Sequence, residues 1–491
     1  MEPVFAFPLD LDKHDGEGRA QRLHHQLRAA ILEGRLTPGT ELPATRRVAT
    51  AYGIARNTVI AAYDLLMAEG YLLTRPGAKA VVADVTPAQV AVKRKRLPRE
   101  RRQNTVDWLA LAPRREPPAN AKPEPAAFQL GVPEHRYFPL DVWRRLLVHA
   151  LPFAQPAAFG YPPTEGQPLL RAAIAQHAGY ARAVACDEHD VLVTTGAQQA
   201  FDLLARVFVT RGQTKVAVED PGYPPLCTAM LAAGAQLVPI PVDDEGICVD
   251  HLTSDIRIVY VTPSHQFPTG VPMSMKRRHA LLEFARKNGA LIIEDDYDGE
   301  FRYGSQPLDA LQTLDRDSTV AYVGTFSKSL FPSLRIGYIV APAWALDMLI
   351  AAKHCTDSAG NVQVQDALAR FILEGHLARH VRKMRKHYAL RREAMLASFA
   401  DELAPWFEAV PALAGIHLCA RYRDRREAGR ILTQTRQHAI GAQPVSDFLL
   451  ERRSRASSVA AGDGIAFGFG RIEAEDISAA MKRLSRALKR A

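Results

Sequence analysis

Residues 324–330 read GTFSKSL, with the apolar run STVAYV (318–323) before them and FPSLRIGY (331–338) after them. The apolar run has the length and texture of a buried strand. Lys328 therefore lies just past a strand end, at the carboxyl edge where open α/β sheets bind ligands. An amine used for Schiff-base formation must sit where it can lose its proton and meet an aldehyde. Around it, Thr325, Ser327 and Arg335 offer two hydroxyls and a guanidinium, a set suited to a phosphate. SKSL lacks the spacing of a Ser-x-x-Lys hydrolase motif. A Ser-Lys-Ser turn alone is ordinary loop, so its weight depends on what surrounds it.

Outward from this stretch, short apolar runs (VLVTTG, KVAVED, IRIVYVTPS, ALIIEDDYD) alternate with helical patterns such as AQQAFDLLARVF and KRRHALLEFARKNG. That alternation predicts βαβ units and a largely parallel sheet with helices on both faces. Several strand ends carry chemistry. TTGAQQA (194–200) is a strand–Gly–helix junction where the amides of Gly196 and Ala197 and the side chain of Gln198 complete a phosphate cradle. In IIEDDYD (292–298), Asp295 can hold a ring nitrogen protonated and Tyr297 can bond a phenolic oxygen. EDPGYPP (219–225) places Tyr223 where it can stack on a ring. Lysine, acid and phosphate cradle together suit pyridoxal 5'-phosphate (PLP), whose electronics proteins tune through a partner at the ring nitrogen.

The chain has 491 residues, too many for one ordinary core. Its 47% hydrophobic and 23% charged residues are those of a globular protein. No apolar run approaches the ~20 residues of a membrane span. The N-terminus, MEPVFAFPLDLDKHDGEGR, has acids where a signal peptide would have basic residues, so a cytoplasmic protein is expected. Cys186, Cys227, Cys248, Cys355 and Cys419 show no CxxC and no metal spacing; they are expected to be buried small hydrophobes, and no metal centre is expected. The net charge of +9 suits a polyanionic partner, and seven of the ten residues of KRKRLPRERR (93–102) are Lys or Arg.

The front of the chain has a different texture. Leu23, Leu27 and Ile31 share one helical stripe, PATRRVATAYG gives a second short helix, and Val59, Ala62, Tyr63, Leu66 and Met67 repeat at helical spacing in a third. GYLLTRPGAKAVVADV adds two β-rich runs around a Pro-Gly turn. Three helices and a hairpin outline a winged helix-turn-helix. Its recognition helix begins ARNTVIAAY, so Arg56, Asn57 and Thr58 meet base edges or backbone, Arg46 and Arg47 meet phosphates, and Arg75 and Lys79 flank the wing turn. The expected domains are a winged helix over 15–84, a basic, Pro-rich linker over 85–125, an α/β large domain over 126–380 and a small α+β subdomain over 381–491.

LPATRRVATAYGIARNTVIAAYDLLMAEGYLLTRPG (42–77) resembles the GntR-type winged helix, departing from it at Ala55, often a capping serine, and at the wing tip PGAKA. The order TGAQQ, PGY, TPSHQFPTG, EDDYD, SKSLFPSLRIGY resembles the large domain of fold-type I aminotransferases. Together they resemble the MocR/GabR class of transcriptional regulators. That resemblance implies a homodimer carrying PLP on Lys328, double-stranded operator DNA as partner, a small-molecule effector, and Tyr161 of FGYPPTEGQ reaching the phosphate bound by the other subunit. Two departures set the chain apart from working aminotransferases. HQFPTG has Phe267 and Pro268 where an asparagine usually bonds the phenolic oxygen, leaving His265 or Gln266 to substitute. QPVSDF has Asp447 where an arginine for a ligand carboxylate is expected. Either another arginine serves a ligand carboxylate, or the effector is PLP itself, an amine or another amino compound, or a sulfonate held elsewhere. A sensor is favoured over the alternatives of an active aminotransferase with a DNA-binding appendage and of a structural DNA-binding protein.

Overall fold

A computed structural model describes residues 4–11, 18–74, 79–84, 111, 128–151, 160–303, 309–411, 413–438, 440–450 and 463–490. Arg75, the basic tract 93–102 and the linker apart from residue 111 lie outside the described residues. The chain divides into two compact units, Met1–Thr105 and Val106–Ala491.

The first unit contains α1 (Arg19–Leu32), α2 (Thr45–Ala51), α3 (Arg56–Ala68) and the antiparallel pair β1 (Leu72–Leu73) and β2 (Val81–Val82). Leu23, Leu27 and Ile31 recur at fourfold spacing, so α1 presents one apolar face, which packs with Val48 of α2 and Val59 and Leu66 of α3. The Tyr63 hydroxyl donates to the Pro43 carbonyl at 3.0 Å and ties α3 to the loop entering α2. This is the winged helix-turn-helix outlined by the sequence.

In the second unit, β3 (Val191–Thr194), β4 (Lys215–Asp220), β5 (Gln236–Asp243), β6 (Gly246–Ile247), β7 (Ile256–Val261), β8 (Leu291–Asp296), β9 (Val320–Thr325) and β10 (Gly337–Val340) form one sheet. Their order is β3-β10-β9-β8-β7-β4-β5-β6. The central neighbours are parallel; β10 runs antiparallel between β3 and β9, and β6 antiparallel at the edge. Strands β3, β8 and β9 are buried throughout, as continuous apolar runs in a sheet covered on both faces require. Helices Ala197–Phe208, Pro224–Ala233 and Ala343–His354 cover one face through Phe201, Met230 and Leu349. Helix Met275–Asn288 packs Leu281 and Ala285 on the other. The register sets Asp296 beside Gly324, and Thr325 and Thr194 on either side of Gly337. The carboxyl ends of β3, β8 and β9 thus meet at one edge.

The C-terminal part adds β11 (Phe407–Ala409), β12 (His417–Tyr422), β13 (Gln443–Pro444) and β14 (Gly464–Gly468) in the antiparallel order β11-β12-β14-β13. Helices His376–Ala400 and Ala474–Arg490 cover it. The boundary expected at residue 380 falls inside the first of these helices. One apolar cluster joins Phe326 and Tyr338 of the large domain to Phe399, Phe467 and Leu484, because the helix serves both parts.

The cysteine expectation is corrected. Cys419 is buried, but Cys186, Cys227 and Cys248 are half-buried and Cys355 is exposed; all five are free. No helix among the described residues is long and apolar enough to cross a membrane.

Candidate functional site

A cavity of about 300 Å3 opens at the sheet edge where the strand ends meet. Of the residues singled out from sequence, Ala197, Gln198, Tyr223, Asp295, Tyr297, Thr325, Ser327, Lys328 and Arg335 line it. They arrive there from four loops because parallel strands deliver their carboxyl ends to the same side.

One end of the cavity is built for an anion. Gly196 precedes the helix Ala197–Phe208 at φ +81°, and no side chain caps that helix. A Cβ on Gly196 would lie 2.9 Å from the Arg335 guanidinium, so glycine here lets the arginine approach the helix start. Arg335 Nη2 donates to the Thr195 carbonyl at 2.9 Å. Thr325 Oγ1 donates to Ser327 Oγ at 3.0 Å beside it. Uncapped helix amides, two hydroxyls and a guanidinium are the donors a phosphate takes up.

Toward the middle stand Lys328 and Asp295. Lys328 Nζ donates to the Gly131 carbonyl at 2.5 Å. Burial lowers the pKa of its amine, against the pull of Asp298 and Asp295. Burial pushes the Asp295 carboxyl up to about 7, although the Tyr260 hydroxyl donates to its Oδ2 at 2.8 Å. Its Oδ1 is buried without a partner. A buried acceptor left open in this way is costly unless a donor arrives.

The third part of the site differs from expectation. His265 and Gln266 do not line the cavity. The Gln266 amide donates to Glu219 Oε2 and the Pro221 and Phe267 carbonyls and accepts from Thr269, so it is consumed in bracing its own loop. His265 Nδ1 sits 3.1 Å from Asp298 Oδ2, and its carbonyl accepts the Tyr297 hydroxyl at 2.9 Å. Phe267 does reach the cavity, edge-on to Tyr223 with ring centroids 5.3 Å apart. An apolar wall thus replaces the asparagine of the aminotransferase pattern. Tyr161 is fully exposed and off the cavity wall, and Asp447 is exposed in the short turn Val445–Phe448.

Sequence reasoning passed over Gly131, His417 and Gln443, all of which line the cavity. Gly131 and Gln443 carry no local signal. A lone histidine opening a strand in "GIHLCARY" is indistinguishable from a core residue until the strand is placed.

In the first unit, Arg46, Arg47, Arg56 and Asn57 are exposed and Thr58 half-buried, along α2 and the start of α3. Ala55 leaves α3 without a side-chain cap. Arg56 Nε reaches Thr45 Oγ1 at 3.4 Å, linking the two helices. Lys79, also exposed, pairs with Glu41 Oε2 at 2.7 Å. The helix-turn-helix therefore presents a row of cations with Asn57 at its recognition-helix start, the surface that DNA backbone and base edges require.

Comparison with known proteins agrees with both halves. Residues 19–82 match the bacterial regulatory proteins of the gntR family. Residues 127–463 match aminotransferase class I and II. The probable rhizopine catabolism regulatory protein MocR of Rhizobium meliloti is 37% identical over 443 residues, 89% of this chain and 88% of that protein. The HTH-type pyridoxine biosynthesis transcriptional regulator PdxR of Corynebacterium glutamicum is 29% identical over 484 residues, 98% of each. Among solved structures, kynurenine aminotransferase of Pyrococcus horikoshii, in complex with PMP, superposes with a TM-score of 0.67 at 29% identity, covering 75% of this chain and 91% of that one. With a GntR winged helix fused to a class I and II aminotransferase domain along one continuous match to MocR, the chain belongs to the MocR type of GntR-family transcription regulators.

Proposed function

We propose that this regulator binds double-stranded operator DNA through α2 and α3 as a cytoplasmic homodimer, and holds PLP in the aminotransferase-like cavity to sense a small-molecule effector. The observation that carries the cofactor reading is the unpartnered, buried Oδ1 of Asp295 in the same cavity as Lys328. A protonated ring nitrogen supplies the donor this oxygen lacks. PLP, when bound, supplies an aldehyde for an amine and an electron sink.

The chain's own residues divide the work. The amides of Ala197 and Gln198, with Thr325, Ser327 and Arg335, hold the phosphate. Asp295 keeps a proton at the ring nitrogen. Burial lowers the Lys328 pKa and raises its neutral, nucleophilic fraction. Tyr223 and Phe267 give the ring an apolar wall and keep water out. Sensing requires that the effector bind two states of the protein unequally, and the response can be no larger than that difference.

The test is borohydride reduction of the PLP-supplied protein followed by peptide mapping. An adduct on Lys328, absent in Lys328→Ala, supports the reading; no lysine adduct in the wild type removes it. Operator binding retained in Lys328→Ala, but indifferent to effector, separates a sensor from an enzyme. Transamination above ~1 per second without operator preference would establish the aminotransferase instead.

A further inference from the structure

We propose that Tyr260 is a positioning residue for the cofactor: its hydroxyl holds one oxygen of Asp295, so that the other is left to meet the ring nitrogen of PLP and keep it protonated. The proposal rests on the cavity being the PLP pocket.

The placement follows from strand register. Tyr260 of β7 pairs with Ile293 of β8, and Asp295 lies two residues beyond Ile293, on the same face of the sheet. Tyr260, Ile293 and Phe201 belong to one apolar cluster there. Phe201 meets the Tyr260 ring edge-on, with ring centroids 5.9 Å apart, and Tyr260 is 1% exposed. Packing thus fixes the ring, and its hydroxyl donates to Asp295 Oδ2 at 2.8 Å. Asp295 lines the cavity, whereas Tyr260 does not. Oδ2 is therefore turned toward β7, and Oδ1, buried without a partner, is the oxygen left for a ligand.

The neighbouring acid is treated differently. Asp296 alternates to the opposite face and is off the cavity wall; Arg182 pairs with it there, and the Tyr322 hydroxyl donates to its Oδ2 at 2.7 Å. A guanidinium neutralises that carboxylate inside the fold. Asp295 has a phenol instead and, among the described residues, no cation within ion-pair distance. A neutral donor orients a carboxylate and favours its charged form without cancelling the charge. Burial raises the Asp295 pKa, and the Tyr260 hydrogen bond opposes that rise. The countercharge is left to the ligand, and a protonated ring nitrogen supplies it. Without the hydroxyl, the neutral pair gains, in which the proton lies on the carboxyl and not on the ring.

The test loads the full chain with PLP carrying the heavy nitrogen isotope in its ring. Solid-state NMR reads the ring-nitrogen signal, and absorbance titration reads the PLP dissociation constant. In the wild type the signal should lie at the protonated position at neutral pH. Tyr260→Phe, which removes only the hydroxyl, should move it toward the unprotonated position and weaken PLP binding about tenfold, the worth of one hydrogen bond. Tyr322→Phe takes the same group from Asp296 and should leave both readings at wild-type values. A ring-nitrogen signal in Tyr260→Phe equal to wild type, or an equal shift in Tyr322→Phe, overturns the proposal. Should the Tyr260→Phe protein not fold, Tyr260→Met, also without a donor, decides by the same readings. No Lys328 adduct in the wild type removes the cofactor reading and this role with it, whereas an intact adduct with an unmoved ring nitrogen removes the role of Tyr260 alone.

Discussion

Arg56 and Lys328 are both cations at the boundary of a regular element, one opening α3 and the other following β9. Arg56 is exposed, whereas Lys328 is sunk in a cavity with its pKa pulled down by burial. The same contrast runs through their surroundings. In the winged helix the candidate contacts are solvated and cost the fold nothing while they wait for DNA. In the cavity, Asp295 Oδ1 and His417 Nε2 are buried without partners, so the fold carries a penalty there. Surface recognition and buried recognition should therefore respond differently to the same kind of substitution.

The largest effect is expected at Asp295. Its folded pKa, raised to about 7 from 3.8, means the folded protein holds a proton that the unfolded chain releases. Stability of the cofactor-free protein should fall as pH rises from about 4 to about 7, by up to about 4 kcal/mol from this group. Asp295→Asn should flatten that fall, raise the melting temperature at pH 8 and weaken PLP retention. Glu219 and Glu294, also raised to about 7, would leave a residual slope. Melting curves of variant and wild type that stay parallel across pH would show that the Asp295 carboxyl does not hold its proton.

Next is the phosphate end. Gly196→Ala places a methyl 2.9 Å from Arg335 at a backbone φ of +81°, so the fold should lose about 1–3 kcal/mol and PLP retention should drop with it. A urea midpoint equal to wild type would mean that the cradle yields. In the winged helix the pattern should reverse. Arg56→Ala should lower operator affinity by about 1–3 kcal/mol if it reads a base, yet change stability by less than about 0.5 kcal/mol. Fluorescence titration and melting of one preparation measure both, and a large loss of stability would mean that Arg56 supports the fold as well as the DNA-facing surface.

The smallest effect is expected at Lys79, whose pairing with Glu41 leaves both side chains 61% exposed. Lys79→Ala should cost the fold at most about 1 kcal/mol. If Lys79 also meets a phosphate, the log–log salt slope of DNA binding should shrink by about 0.9. An unchanged slope assigns the lysine to Glu41 alone.

The ligand-facing residues that were legible in the sequence share one property: each sits in a short motif at a strand or helix end. Lys328, Asp295 and the Gly196–Gln198 junction are legible because a short continuous apolar run marks a buried strand and so where its carboxyl end lies. Adjacency to PTG suggests His265 or Gln266 as a pocket residue. Gln266 instead spends its amide on Glu219 and Thr269, a hydrogen-bond allocation that adjacency does not reveal. Gly131 was not legible at all, since its carbonyl meets an amine 197 residues away.

Local order was thus determined by the sequence itself: the helix-turn-helix stripe of Leu23, Leu27 and Ile31, the alternation that makes a parallel sheet, and the identity of the lysine and acid at its edge. These follow from periodicity and chain direction, which are properties of neighbours. Only the tertiary structure decided that His417 from the small subdomain meets His265 and lines the cavity, that a helix spans the boundary at residue 380, and that Asp295 and His417 keep unpartnered atoms. Those outcomes depend on burial and on which distant groups compete for each donor, and no stretch of neighbouring residues contains that competition.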